Sequence, residues 1–200
     1  MTKQLTNREK LAFAVESRKR QDLKRYEESY QAFAAEQIRI LPKDASKGFI
    51  PLEFNTAQQI VDDAIEKQLK ETGKVRAIIL KARQMGLSTY ATGRVYWKSY
   101  LTPYNKSVVM AHDSATSDAL FSMSRNIIQN MRPEFTPILK KSNSKEIGFE
   151  HNDSGYRLYT AGSPEAGRGT TPTIAHLSEV AFWTHDAKIL AGLFQGISQA

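Results

Sequence analysis

The residues best suited to chemistry form the run KARQMGLST: Lys81, Ala82, Arg83, Gln84, Met85, Gly86, Leu87, Ser88 and Thr89. Just before it stands VRAIIL, residues 75–80, a short apolar run rich in β-branched residues that predicts a buried strand. Just after it the pattern predicts a helix over 88–100. A turn between a strand and a helix points backbone N–H groups and the positive helix end at an anion. Gly86 allows a phosphate to approach where a β-carbon would collide. Lys81 and Arg83 are both candidate phosphate cations, and the residues alone do not choose between them. Ser88 opens the helix and offers a hydroxyl to Mg²⁺. A second group is IAHLSE, residues 174–179, an apolar run that ends in Ser178 and Glu179. A carboxylate at a strand end is what orients a water for attack on a phosphoryl group, and Glu179 suits that role.

Both segments depart from the standard nucleotide-binding patterns. In G-x-x-x-x-G-K-[ST], Lys81 occupies the place of the first glycine and Leu87 that of the lysine. A lysine at the front of the loop supplies the cation from its other side. In the acidic strand, Ser178 replaces the usual Asp. Mg²⁺ would then be held at Ser178 through a water, or mainly by Ser88. Both segments fall at the C-terminal ends of predicted strands, where open α/β sheets place ligands.

The elements that must position these groups alternate. A long helix is predicted over 6–40, opened by a capping box of Thr6 and Glu9. Its basic stretch, Arg18, Lys19, Arg20, Lys24 and Arg25, reads as a solvated face or as a docking arm. Leu41-Pro42 ends that helix, and residues 43–51 read as a loop. A second helix begins at Asn55 or Thr56 and runs to about 71, with Gly73 as its C-terminal cap. Further strands are predicted at 75–80, 106–111 and 173–177, with weaker ones at 146–150 and 156–159. Helices are predicted at 88–100, at 114–131 and from 187 onward. This order predicts an α/β fold of the P-loop NTPase kind, a mainly parallel sheet with helices on both faces. It also predicts an N-terminal helical appendage, residues 1–50, ahead of a core over 51–200.

Composition sets outer bounds. The apolar and charged fractions, 40% and 24%, are those of a globular protein. No window approaches the ~18 consecutive apolar residues of a membrane span. With no cysteine, disulfides and thiolate metal sites are excluded. The formal charge of +7 favours an anionic partner, nucleic acid first.

KARQMGLST followed by AHLSEVAFW resembles the large terminase subunit of tailed bacteriophages, the DNA-packaging motor. The likeness covers about residues 52–183. In that family the loop lysine sits at the front in some members, as Lys81 does. Arg83, Gln84 and Gly86 match an R-Q-x-G motif, and Ser-Glu in place of Asp-Glu also occurs. The resemblance implies ATP and Mg²⁺ as cofactors and double-stranded DNA as substrate. It further implies a ring homo-oligomer, the portal protein and the small terminase subunit as partners, and a place in the host cytoplasm, docked transiently on a procapsid. It implies that Gln58 or Gln59 reads adenine, and that Arg168, in EAGRGTTP, is an arginine finger. It implies Lys81 and Glu179 as catalytic groups, with Ser88 and Ser178 toward the metal. The family's coupling motif and nuclease domain do not fit in the residues after Glu179, so an incomplete core without nuclease activity is expected.

Two other classes read the same residues differently: a helicase-like DNA translocase on the same nucleotide fold, and a non-catalytic DNA-binding module in which 81–89 is a plain turn. Glu150, His151 and Asp153, in EHNDSG, read as a polar loop. His112, ahead of Asp113 and Ser114, reads as an ordinary helix start. Trp97 and Trp183 read as core.

Overall fold

The computed structural model describes residues 6–42, 44–162, 171–184 and 186–197. Helix α1 spans Asn7–Glu28, and α2 spans Tyr30–Gln37. Two short strands follow, β1 at Arg39–Ile40 and β2 at Ile50–Pro51, paired antiparallel. Next come α3 at Thr56–Thr72, α4 at Leu87–Leu101, β3 at Lys106–Ala111 and α5 at Ser114–Asn130. The chain continues through β4 at Leu139–Ser142, β5 at Glu146–Phe149, β6 at Gly155–Thr160, β7 at Ile174–Leu177 and α6 at Asp186–Gly196. Among the described residues no helix is long and apolar enough to cross a membrane.

Strands β4 to β7 and β3 form one five-stranded sheet in the order β4-β5-β6-β3-β7. The sheet is mixed. β3 pairs parallel with both β6 and β7, whereas β4-β5-β6 is an antiparallel meander. Two-residue alternation on β3 divides the core. Val109 and Ala111 join the large cluster with α2, α4 and α5. Val108 and Met110 join a smaller one with Trp183 and with Ile189 and Leu193 of α6. The α/β class and the helices on both faces therefore agree with the expectation, and the mainly parallel sheet does not. The meander is built from short, half-polar strands that the alternating strand–helix pattern does not announce.

The single helix expected over 6–40 is interrupted at Ser29. That residue is extended (φ −144°, ψ 112°), and its hydroxyl accepts from Ala32 N–H, so it closes α1 and caps α2. The kink turns Tyr26, Tyr30 and Phe33 into the core, where they meet Tyr90, Tyr96, Trp97 and Tyr100 of α4. Trp97 Nε1 donates to Tyr26 O at 2.7 Å, and the Tyr30 hydroxyl donates to Tyr90 O at 2.8 Å. Tyr26, Tyr30, Phe33, Ala34, Ile38 and Leu52 thus share one core cluster with β3, β5 and β6. The loop expected over 43–51 contains β2, because its backbone pairs with β1.

The largest departure lies at residues 75–80. The expected buried strand is an exposed segment with no regular secondary structure, outside the sheet. Ile78 is 102% and Leu80 101% exposed. β-branched residues favour extended backbone, but a strand is buried only if another strand offers its edge, and among the described residues none pairs here. Ile78→Asp should therefore change stability by no more than about 0.5 kcal/mol. Phe33→Ala, at a fully buried ring, should cost about 3–5 kcal/mol. Urea melts of both variants check this; a large loss from Ile78→Asp would show that the segment is packed.

Candidate functional site

Helix α4 has two unlike ends. At its C-terminus the last carbonyls are satisfied by the EHNDSG turn. Asn152 Nδ2 donates to Ser99 O at 3.0 Å and Tyr100 O at 2.9 Å, and the Ser154 hydroxyl also donates to Ser99 O. His151 Nε2 lies 2.9 Å from Tyr100 O, and Asp153 pairs with Lys140. The polar loop read from the sequence is therefore a clasp on α4.

At the N-terminus no side chain caps the helix. Gly86 is the N-cap residue, in the left-handed conformation (φ 71°, ψ 5°), and the first helical bond runs from Tyr90 N to Gly86 O. The N–H groups of Leu87, Ser88 and Thr89 have no acceptor within the helix. The first turn carries no acidic residue. Just before it, Lys81, Ala82, Arg83, Gln84 and Met85 are exposed, and Gln84 also has positive φ, 65°. Leu87 is buried, so it offers a ligand only its backbone, while Ser88 and Thr89 are partly exposed. The chemistry of this end is anion capture by amides, with two cationic side chains nearby in sequence.

The turn is held from behind by α3. Asn55 and Gln58 form a capping box: Gln58 N donates to Asn55 Oδ1, and Asn55 N donates to Gln58 Oε1, both at 3.0 Å. Gln58 Nε2 then donates to Gly86 O at 2.8 Å, and Asn55 Nδ2 to Met85 O at 3.2 Å. Gln58 is buried, and both ends of its amide are engaged. The Gln59 amide is likewise engaged, accepting from Gln31 and donating to Asp63. Gln58 braces the turn before α4, a role that the AQQIV pattern does not reveal because Gly86 is far away in sequence.

Helices α3 and α4 are locked by a second, charged bridge. Arg94 pairs with Asp62 at 2.7 Å and with Glu66 at 2.5 Å, and the Tyr90 hydroxyl donates to Asp62 at 2.6 Å. Burial raises the Asp62 carboxyl above its ordinary range, and the Tyr90 and Arg94 contacts oppose that rise.

Glu179 stands at the C-terminal end of β7, beside the end of β3. Ser178 N donates to Met110 O at 2.8 Å, and Ser178 O accepts from Trp183 Nε1 at 3.1 Å. Ser178 is buried. Glu179 is left-handed (φ 56°, ψ 42°), a conformation that costs a non-glycine residue about 1 kcal/mol or more. His112, the residue after β3, lies between two carboxylates: Nδ1 is 2.8 Å from Glu179 Oε2 and Nε2 is 2.6 Å from Asp113 Oδ2. Asp113 also caps α5 by accepting from Thr116 N–H. From the sequence His112 reads as an ordinary helix start; the signal that it meets Glu179 is that both follow apolar strands. Helix α4 packs against β3, β6 and β7, so both candidate segments belong to one packed unit. Arg168 lies outside the described residues.

No protein-family model matches this sequence, and no curated protein matches it. The brace on Gly86 has a measurable consequence. A β-carbon there would stand 2.8 Å from Gln58 Nε2, on a backbone already at positive φ. Gly86→Ala should cost about 1–2 kcal/mol in thermal unfolding. A neutral result would mean that the turn is not held as described.

Proposed function

We propose that this chain is the ATP-binding part of a DNA-packaging motor of the large-terminase type. It would hydrolyse ATP with Mg²⁺ and drive double-stranded DNA into a procapsid. The observation that carries the reading is the start of α4, with its left-handed Gly86, its uncapped N–H groups and no acidic residue in the first turn. That end suits phosphate, and a β-carbon at Gly86 would press on the Gln58 amide that holds the turn in shape. Among the described residues no cluster of three or more His, Asp or Glu groups suits a metal ion. Mg²⁺ would thus arrive with the nucleotide, and its protein contacts would be the hydroxyls of Ser88 and Ser178.

In this reading Lys81 and Arg83 neutralise phosphate charge, and Gln58 holds the loop in shape. Glu179 orients a water for in-line attack. Arg168 completes the charge shell in a neighbouring subunit of a ring. Bound nucleotide supplies the phosphoryl group whose hydrolysis moves loops and subunits. The net charge of +7 suits a sequence-independent grip on DNA phosphates, which weakens steeply with salt. Portal protein, small terminase subunit and a site on the procapsid in the host cytoplasm belong to the same proposal.

ATP·Mg²⁺ at about 100 times its dissociation constant should stabilise the fold by roughly 2.7 kcal/mol. Glu179→Gln should keep that stabilisation and lose turnover by about 10²-fold or more. Lys81→Ala should weaken the binding itself. Melting curves with and without ATP, alongside phosphate release, check the set; no stabilisation and no turnover would refute the proposal.

A further inference from the structure

We infer that His112 is a positioning residue that holds the Glu179 carboxylate for catalysis and ties it to the start of α5. The inference rests on the ATPase reading above and deepens it. Four contacts carry it. His112 Nδ1 lies 2.8 Å from Glu179 Oε2, across the ends of two parallel strands. The opposite ring nitrogen lies 2.6 Å from Asp113 Oδ2. Asp113 is itself fixed, because it accepts from Thr116 N–H at 2.7 Å as the N-cap of α5. The Phe182 ring lies beside the imidazole, with 5.7 Å between centroids. The imidazole is thus flanked by a carboxylate oxygen at each ring nitrogen, and its place limits where the Glu179 side chain can lie.

Glu179 needs such a partner. Its backbone is fixed by the bonds on either side: Ser178 N to Met110 O, and Phe182 N to Glu179 O at 3.0 Å. Its side chain is 39% exposed, and a free glutamate there would sample several rotamers. A base that orients water must be held within a fraction of an ångström, and misplacement by ~1 Å can cost about 10²-fold in rate. The grip is also releasable. Nδ1 is buried yet has no hydrogen bond of proper direction, so the contact to Oε2 is close but off the N–H axis. Glu179 therefore keeps lone pairs for a water while its carboxylate stays in register. Because Asp113 opens α5, a shift of that helix moves His112 and with it the glutamate. This couples the reaction to α5, which packs beside α4 on the same face of the sheet.

The test compares the wild-type chain with His112→Ala, His112→Asn and Glu179→Gln. Steady-state ATP turnover, ATP affinity from a calorimetric titration and melting temperature are measured for each. His112→Ala should lower kcat at least tenfold, leaving KM, ATP affinity and melting temperature near the wild-type values. His112→Asn, which keeps a polar side chain beside Glu179, should recover part of kcat. Glu179→Gln should lose turnover whatever stands at position 112. A His112→Ala chain with kcat within twofold of wild type, beside an inactive Glu179→Gln, would overturn the positioning role and leave the ATPase reading standing. Equal loss in His112→Ala and His112→Asn, with both chains melting well below wild type, would make His112 a structural residue and overturn it too. A wild-type chain that neither binds nor hydrolyses ATP would remove the reading on which the inference rests.

Discussion

Helix α4 is enclosed on nearly every side, and that enclosure sets the rest of the structure. Tyr90, Val95, Tyr96, Trp97 and Tyr100 are all buried, and Gly93 lets the Tyr30 hydroxyl and Ile38 press against the helix backbone. A helix with large aromatic residues on several faces must be covered by other elements. Here α2 covers one side, α3 another, α5 a third, and the sheet the remainder. Once α4 is fixed this way, its two ends are fixed too. The C-terminal end is consumed by Asn152 and Ser154, while the N-terminal end is left with bare amides. The helix is thus a polarised part with its open, positive end supplied by the fold.

The sheet contributes the second half of the site. Parallel pairing of β3 with β6 and β7 aligns their C-terminal ends, so residues far apart in sequence leave the sheet side by side. His112 and Glu179 meet for this reason alone. On the face of β7 toward α4, His176 has a buried Nδ1 without a hydrogen-bond partner among the described residues, and burial pushes its ring down to about 4. It therefore stays neutral near pH 7. The opposite end of the sheet is sealed by a polar knot of Ser99, Asn105 and Ser107. One end of the sheet is closed by structure, and the other carries the titratable groups.

What the sequence made legible was local. Asn55, Gln58 and Gly73 announce both ends of α3, because capping involves residues only a few positions apart. The apolar run of β3 and the Asp113 cap of α5 were equally readable. Failures came where a distant partner decides. VRAIIL has the composition of a buried strand, yet burial depends on a neighbouring edge that no local pattern encodes. Ser29 breaks a helix that the spacing of Tyr26, Tyr30 and Phe33 would continue, because the large core on α4 draws those rings inward. At the candidate site, Gly86 and Glu179 stand out by residue type and spacing. The brace from Gln58 and the contact from His112 do not, since each spans dozens of residues.

The central claim is that the amides at the start of α4 and the Glu179 carboxylate serve one nucleotide. The most direct measurement is an amide NMR titration of the chain with ATP·Mg²⁺. The account requires the resonances of Gly86, Leu87 and Ser88 and those of His112 and Glu179 to shift together, along one saturation curve. Shifts confined to one of the two groups, or following two different curves, would contradict it.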